Sequence, residues 1–171
     1  TVLEKKYLEF DGLNLTYETL DGILKHNGPV KKDVPTYVKN VFLHFNGSLS
    51  TNGSFEAQIA AICDDIAYNN NDIDDGLHAG LFRIEELEQI EISSQVLKKI
   101  KIRKSNNPER IKYELVRKLI KLMLDDLISN TNENIKEFNI KSLEDVKLSK
   151  KKIVCFSDYM RKQESELKLF L

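Results

Sequence analysis

The chain has 171 residues and a mass of 19.8 kDa, which is a common size for one domain. Its composition, 41% hydrophobic and 31% charged with seven Gly, three Pro and no Trp, excludes collagen-like, low-complexity and wholly disordered chains. No stretch approaches the roughly 20 apolar residues of a membrane span or the apolar core of a signal peptide. We therefore expect a cytoplasmic, helix-rich single domain over residues 1–171, without membrane contact.

Charge is balanced over the whole chain but not between its halves. Residues 1–90 contain 7 basic and 15 acidic residues, whereas residues 91–171 contain 19 basic and 12 acidic ones. The basic half is open to two interpretations. It is either a lysine-coated, solvated helical surface or a binding surface for a polyanion such as nucleic acid or for an acidic partner.

The first predicted element is a helix over Leu15–His26, where apolar residues recur at helical spacing. Asn14 or Thr16 is placed to cap it, and Gly28-Pro29 is placed to end it. Turn signals then dominate residues 30–53, which we interpret as a loop-rich connector with one short helix.

The clearest helix follows, over Phe55–Asn71, with Ser54 as a favourable cap. Asp72–Phe82 is predicted either to continue this helix or to form a second short helix after a kink. The next helix runs from Ser93 or Ser94 to Arg103.

A long helix is predicted from Pro108 through Ile128, with Asn107 as its cap. The residues expected to face inward are Ile111, Leu115, Leu119, Leu122 and Ile128. Two shorter helices over Ser142–Val146 and Ser157–Phe170 follow, separated by one short extended piece over Lys152–Phe156. The sum is an all-α helical bundle with short loops.

Most enzyme motifs that depend on a short sequence pattern are missing. The chain has no GxSxG sequence, no Gly-rich phosphate loop and no HExxH ligand set. Its three histidines are His26, His44 and His78. Cys63 and Cys155 lie in apolar stretches without a CxxC partner, so we expect buried free thiols.

An acidic segment in the middle of the chain carries the most informative pattern. On a helix Asp64, Tyr68 and Asp72 stand at i, i+4 and i+8, so two carboxylates and a phenol share one face. Small apolar residues flank Asp64, so its carboxylate is expected to enter the interior. A metal ion or a basic partner there would offset the free-energy cost of burying an unpaired charge. The alternative is a solvated acidic face, with Asp74 and Asp75 capping a following helix.

Eight short motifs along the chain occur in the same order as in a known enzyme family. They are Leu3–Tyr7, Phe10–Thr16, Glu18–Pro29, Glu56–Ala60, Asp64–Tyr68, Asp72–Leu77, Ile153–Ser157 and Leu167–Leu171. Together they resemble the C-terminal portion of the deoxyguanosine triphosphate triphosphohydrolase family of HD-domain enzymes.

The resemblance implies that a deoxynucleoside triphosphate, such as dGTP, is hydrolysed to the deoxynucleoside and inorganic triphosphate. Family members hold a divalent metal, Mg or Mn, with a His, a His-Asp dipeptide and a distant Asp, which Asp64 matches. Tyr68 would lie against the deoxyribose and disfavour a ribose 2′-hydroxyl, and Asp72 would accept a hydrogen bond from the 3′-hydroxyl. The family also implies a homo-oligomer.

The chain departs from the family pattern in two ways that bear on its expected activity. The chain contains no His-Asp dipeptide, and the family places its His ligands before the segment that begins here at Leu3. His78 stands where relatives commonly carry Arg. We therefore expect the C-terminal portion of such an enzyme, inactive alone and completed by a missing N-terminal segment, and no catalytic acid or base is assigned. One alternative is a non-catalytic helical interaction or regulatory module, whose basic second half would offer a surface for nucleic acid or for an acidic partner. Another is a barely folded remnant.

Overall fold

The structure, a computed structural model, describes residues 7–10, 12–30, 34–45, 47–101 and 107–171. Eight helices lie within these residues. They are α1 (Tyr17–Lys25), α2 (Thr36–His44), α3 (Phe55–Ala79), α4 (Ile84–Leu87), α5 (Glu91–Lys101), α6 (Pro108–Glu137), α7 (Leu143–Leu148) and α8 (Asp158–Phe170). No strand occurs in this part of the chain, which confirms the predicted all-α class.

The helix boundaries follow the predicted caps. Thr16 Oγ1 accepts a hydrogen bond from Thr19 N at 3.3 Å, and Asn107 Oδ1 accepts one from Arg110 N at 3.2 Å. These side chains satisfy backbone donors that the first turn of a helix leaves unpaired. Gly28 adopts a φ of 111°, a left-handed conformation that ends the α1 segment as predicted.

Of the two alternatives for the segment after Asn71, the structure confirms the continuation: α3 runs on to Ala79, because Ile73 is fully buried and keeps the helix packed past the acidic stretch. Other boundaries differ from the prediction. Ile84–Leu87 forms a short helix that the sequence pattern does not predict, and α6 extends past Ile128. The predicted helix end at Arg103 and the motif residues 3–6 lie outside the described residues.

The chain divides into two compact units, and the single-domain assignment stays a prediction. The first unit comprises residues 1–58 and 142–152. Its buried apolar side chains, among the described residues, are Phe42, Ala57 and Val146.

A buried ion pair between Asp21 and Lys25 accompanies this small core, and each residue is only 1% exposed. Lys25 Nζ also donates to Thr51 Oγ1 at 2.9 Å, and Lys147 Nζ lies 3.7 Å from Asp21 Oδ2. Burial, together with the charge of Asp21 and a hydrogen bond to it, raises the pKa of Tyr17. Lys25 is thus a core residue of this unit as well as a cation at the end of α1.

The second unit comprises residues 59–141 and 153–171, and here α5 packs against both α6 and α8. The buried side chains of α6 are Leu115, Leu119, Met123 and Leu127. These residues repeat every four positions and so lie along one ridge of the helix. The expectation that Ile128 faces inward is wrong: it is 60% exposed, since it lies about 100° around the helix from Leu127.

The segment 152–156 is irregular, which corrects the prediction of an extended piece. Asn130 Nδ2 donates to the Cys155 carbonyl at 2.8 Å, and Asn134 Nδ2 donates to the Ile153 carbonyl at 2.9 Å. Side chains of α6 therefore satisfy backbone groups that a neighbouring strand would otherwise pair. The two cysteines are free, as predicted, but Cys63 and Cys155 are only half-buried.

None of the described helices is both long enough and apolar enough to cross a membrane.

Removing the buried cation of the first unit should cost stability. Lys25→Met leaves the Asp21 carboxylate buried with only Lys147 and the Tyr17 hydroxyl near it, so the free energy of unfolding should fall by about 3 kcal/mol. Urea unfolding followed by circular dichroism measures the change. The double variant Asp21→Leu with Lys25→Met removes both charges and should recover most of the loss. An equal loss in the single and double variants would contradict this account, and exposed Lys39→Met is the control.

The second unit offers a comparable test at the start of α8. Ser157 Oγ accepts a hydrogen bond from Met160 N at 3.1 Å and donates one to Asp126 Oδ1 at 2.6 Å. Ser157→Ala should therefore lower the free energy of unfolding by about 1 to 2 kcal/mol. Ser165→Ala, on the exposed side of the same helix, should change it by less than about 0.5 kcal/mol. Equal denaturation midpoints for the two variants would exclude a capping role.

Candidate functional site

The candidate residues all lie on α3, whose two sides differ sharply. Ile66, Asn69, Asn70 and Ile73 are at most 3% exposed and form its buried side within the second unit. Asn70 Nδ2 donates to the Ile66 carbonyl at 2.7 Å, so this buried amide is held within the helix. Burial of this side determines the rotation of α3 about its axis and leaves the other side open.

Asp64, Tyr68 and Asp72 lie on the open side, as their spacing predicts. All three are exposed, Tyr68 to 63%, and the helix rises about 12 Å from the first to the last. We call them the Asp64 strip. The structure thus places the three predicted residues on one helix face that is accessible to a ligand or a partner.

One expectation about this face is wrong. The sequence predicts that the carboxylate of Asp64 enters the interior, because Ala60, Ala61 and Ala67 surround it along the chain. Ala60 and Ala67 are themselves exposed, and Ala61 is half-buried. Since the small residues share the open side of the helix, they do not draw Asp64 inward.

The neighbouring acidic residues have other functions than capping a new helix, because α3 continues past them. Asp74 Oδ1 lies 2.9 Å from Lys112 Nζ on α6, and this hydrogen bond raises the pKa of Lys112. Asp75 is exposed on the same side of α3 as the Asp64 strip. Asp74 thus joins α3 to α6, while Asp75 adds negative charge to the open face.

The residues directly after Asp64 and Tyr68 contact α8. Lys168 Nζ lies 3.1 Å from Asp65 Oδ1, and Asn69 Nδ2 donates to Glu164 Oε1 at 2.9 Å. Burial alone would lower the pKa of Lys168, but its hydrogen bonds to Glu164 and Asp65 raise it. Sequence reasoning missed these contacts, and the only signal was the i, i+4 spacing of Glu164 and Lys168 on a helix.

The donor chemistry allows Asp64 to contribute to a metal site. A carboxylate is the hard oxygen ligand that Mg²⁺ and Mn²⁺ prefer. Within the described residues, no three His, Cys, Asp or Glu side chains are grouped so that they could hold a metal ion together. Asp64 therefore fits the role of one ligand rather than that of a whole metal centre.

Two of the histidines belong to the first unit, and the third is on α3. In the first unit, His26 Nδ1 is 2.7 Å from the Ile23 carbonyl, and the His44 ring packs edge-on against Phe45. His78 is exposed near the end of α3, more than three turns beyond Asp64.

Many basic side chains of the second half are paired with carboxylates. Such pairs are Lys112–Asp74, Lys118–Glu114, Lys121–Asp125 and Lys168–Asp65. Pairing with nearby acidic groups is typical of a solvated helical surface, where charges of both signs alternate. It favours that interpretation over a polyanion-binding surface.

Comparison with known proteins gives a consistent result along the whole chain. A deoxyguanosinetriphosphate triphosphohydrolase-like protein of Brucella suis is 43% identical over 182 aligned residues, which cover all of this chain and 45% of that protein. Proteins with the same name from Parvibaculum lavamentivorans and Bartonella henselae are 42% and 41% identical, again over the full chain. No protein-family model matches.

The chain spans less than half the length of these curated relatives and corresponds to their C-terminal part. The alignment covers the α3 segment together with the beginning and end of the chain, where the sequence motifs lie. The predicted similarity is therefore confirmed: along its whole length, this chain is similar to the C-terminal part of proteins named deoxyguanosinetriphosphate triphosphohydrolase-like.

Proposed function

We propose that this chain supplies one wall of the active site of a deoxynucleoside triphosphate triphosphohydrolase. The observation that carries the proposal is the exposed Asp64 strip, in a chain whose relatives are named for this activity. In this reaction the oxygen of water bonds to the α-phosphorus, and the bond between that phosphorus and the 5′-oxygen of the sugar breaks. The water oxygen leaves in the inorganic triphosphate and one water proton goes to the 5′-oxygen of the deoxynucleoside, so no other co-reactant is required.

Asp64 is the proposed metal ligand of this wall. Its carboxylate is exposed and makes no ion pair within the described residues, whereas its neighbour Asp65 is paired with Lys168. When bound, Mg²⁺ or Mn²⁺ would lower the pKa of a coordinated water and neutralise phosphate charge. The part of Asp64 is to present a hard, negatively charged oxygen on a rigid helix.

Tyr68 and Asp72 follow at successive turns of α3, so a ligand that reaches Asp64 would meet both side chains in order. The ring of Tyr68 is 63% exposed and is the surface on which we place the deoxyribose, where it would disfavour a ribose 2′-hydroxyl. The exposed carboxylate of Asp72 is a strong acceptor for the 3′-hydroxyl. This arrangement would select a deoxyribose over a ribose.

The remaining ligands would come from another polypeptide segment. The chain has no His-Asp dipeptide, and its relatives are more than twice as long. The open side of α3 carries small residues and carboxylates, which suits close packing by a segment that brings imidazole or basic groups. We therefore expect no activity from the isolated chain.

A chimera tests the proposal. The part of the Brucella suis protein that precedes the match is fused to residues 1–171, and triphosphate release from dGTP is measured with Mn²⁺ or Mg²⁺. The chimera should be active, and Asp64→Asn should lower its activity by at least about 100-fold, because a metal ligand loses its charge. Asp75→Asn removes the same charge from the same side of α3 and should leave the activity unchanged.

Two results would overturn the proposal. One is a chimera that melts cooperatively and is inactive with either metal. The other is an equal loss of activity in the Asp64 and Asp75 variants, which would show that only the general acidity of the face matters. The first result would make the non-catalytic interaction module the better hypothesis, and the second would reject the specific role of Asp64 as a metal ligand.

The sugar preference gives a separate prediction. Tyr68→Ala in the chimera should reduce the ratio of kcat/KM for dGTP to kcat/KM for GTP by about tenfold or more, because the ring no longer excludes the 2′-hydroxyl. Tyr113→Ala, which removes a similarly exposed ring from α6, is the matched control. If both variants keep the original ratio, Tyr68 does not contact the sugar.

A further inference from the structure

Asparagine is followed by glycine at three places in the chain, and the structure describes two of these pairs completely. The pairs are Asn27-Gly28, Asn46-Gly47 and Asn52-Gly53, of which Asn46 lies outside the described residues. In such a pair the glycine nitrogen can attack the asparagine side chain, because glycine has no side chain to obstruct the approach. Asn27 and Asn52 therefore share an intrinsic reactivity, and their surroundings in the fold decide which of them reacts.

Asn52 is held by hydrogen bonds to a distant part of the chain. It is 7% exposed, its Nδ2 donates to the Ser149 carbonyl at 2.6 Å, and its backbone N donates to the Lys147 carbonyl at 2.9 Å. Gly53 is buried as well. Loss of Nδ2 would break the bond to Ser149 and leave that buried carbonyl without this donor, at a cost in free energy. The fold therefore protects Asn52.

Asn27 lies just beyond the end of α1, and its side chain is exposed. Gly28 has a φ of 111°, and its N–H donates to the Lys25 carbonyl at 2.7 Å across the last turn. This bond joins residues that are three positions apart. Frayed helix ends open more readily than buried tertiary contacts. The nitrogen of Gly28 thus becomes available when a single turn opens.

The imidazole of His26 lies against the side-chain nitrogen of Asn27. His26 Nδ1 is 2.7 Å from the Ile23 carbonyl, which can only accept a hydrogen bond, so Nδ1 carries the proton of the neutral ring. His26 Nε2 then accepts from Asn27 Nδ2 at 3.0 Å. Because histidine gains and loses a proton near neutral pH, the ring can deliver a proton from Nε2 to this nitrogen when it leaves.

We propose that Asn27 is a site of spontaneous modification in the folded chain, with His26 as the proton donor to the leaving nitrogen, while Asn52 is protected in the same sequence motif. The Gly28 nitrogen loses its proton to solvent and bonds to Asn27 Cγ. The bond from Cγ to Nδ2 breaks, and Nδ2 takes a proton from His26 and departs as ammonia. His26 regains a proton from solvent. Water then opens the cyclic imide at either of its two carbon–nitrogen bonds, which gives aspartate or isoaspartate.

The product changes the end of α1. It adds a negative charge near the carbonyl end of a helix, where anions are unfavourable, and isoaspartate also lengthens the backbone. Lys25, whose ammonium is buried with Asp21 in the first unit, lies two residues before the modified position. The modification therefore acts beside the buried ion pair of this unit.

Incubation of the 171-residue chain near neutral pH, followed by proteolysis and mass spectrometry, measures the reaction at each asparagine. Cleavage after Lys25 and Lys31 isolates Asn27, and fragment masses separate Asn46 from Asn52. In the folded chain, Asn27 should be modified at least about tenfold faster than Asn52, since Asn52 reacts only after a more costly opening. In urea the two rates should agree within about threefold, because the shared sequence then determines the reactivity.

The contribution of His26 is tested with a pair of variants. His26→Phe keeps a ring at this exposed position and removes the proton donor, so it should slow the reaction at Asn27 at least about threefold in the folded chain. In urea the same variant should have little effect, because the contact with Asn27 is lost. His44→Phe, at another exposed position of the same unit, is the matched control and should leave the rate unchanged.

Equal rates at Asn27 and Asn52 in the folded chain would overturn the proposal, as would modification of Asn27 in urea alone. An unchanged rate in a folded His26→Phe variant would overturn the role of His26. Circular dichroism shows whether each protein is folded, and His26→Gln is the second variant if His26→Phe is not. If the isolated chain does not melt cooperatively, the same rates are measured in the chimera.

Discussion

The burial of one side of α3 is the constraint on which the candidate site depends. Ile66 and Ile73 lie two turns apart on that side and are 3% and 0% exposed, and the buried amides of Asn69 and Asn70 accompany them. Turning the helix to expose these side chains would lose apolar burial and leave amide groups without partners. The rotation of the helix is therefore fixed, and with it the direction in which the Asp64 strip points.

A strip of carboxylates on an open helix face is common, and only its surroundings give it a function. Here Asp65 and Asp74 are tied to lysines of α8 and α6, while Asp64 and Asp72 are left to the open side. The ion pairs that join the helices of the second unit therefore also determine which of its acidic residues are neutralised and which stay exposed on the open side. Stability and the proposed chemistry are linked through the same contacts.

In the first unit, a buried ion pair accompanies an apolar core of few residues. Its described apolar core is small, and a charged pair, Asp21 and Lys25, fills part of the interior. Such a pair stabilises the fold only while both partners are present, because either charge alone would be buried without compensation.

The sequence by itself determined the all-α class, the positions of most helices and caps, the spacing of Asp64, Tyr68 and Asp72, and the family resemblance. These features depend on residues close together in the chain, through helical periodicity and local hydrogen bonds. Only the tertiary structure decided that Asp64 is exposed, that Lys25 is buried, and that Lys168 occupies Asp65 and Glu164. Exposure and ion pairing depend on residues up to about a hundred positions apart, as the 103-residue separation of Asp65 and Lys168 shows, and no local pattern records which helix faces meet.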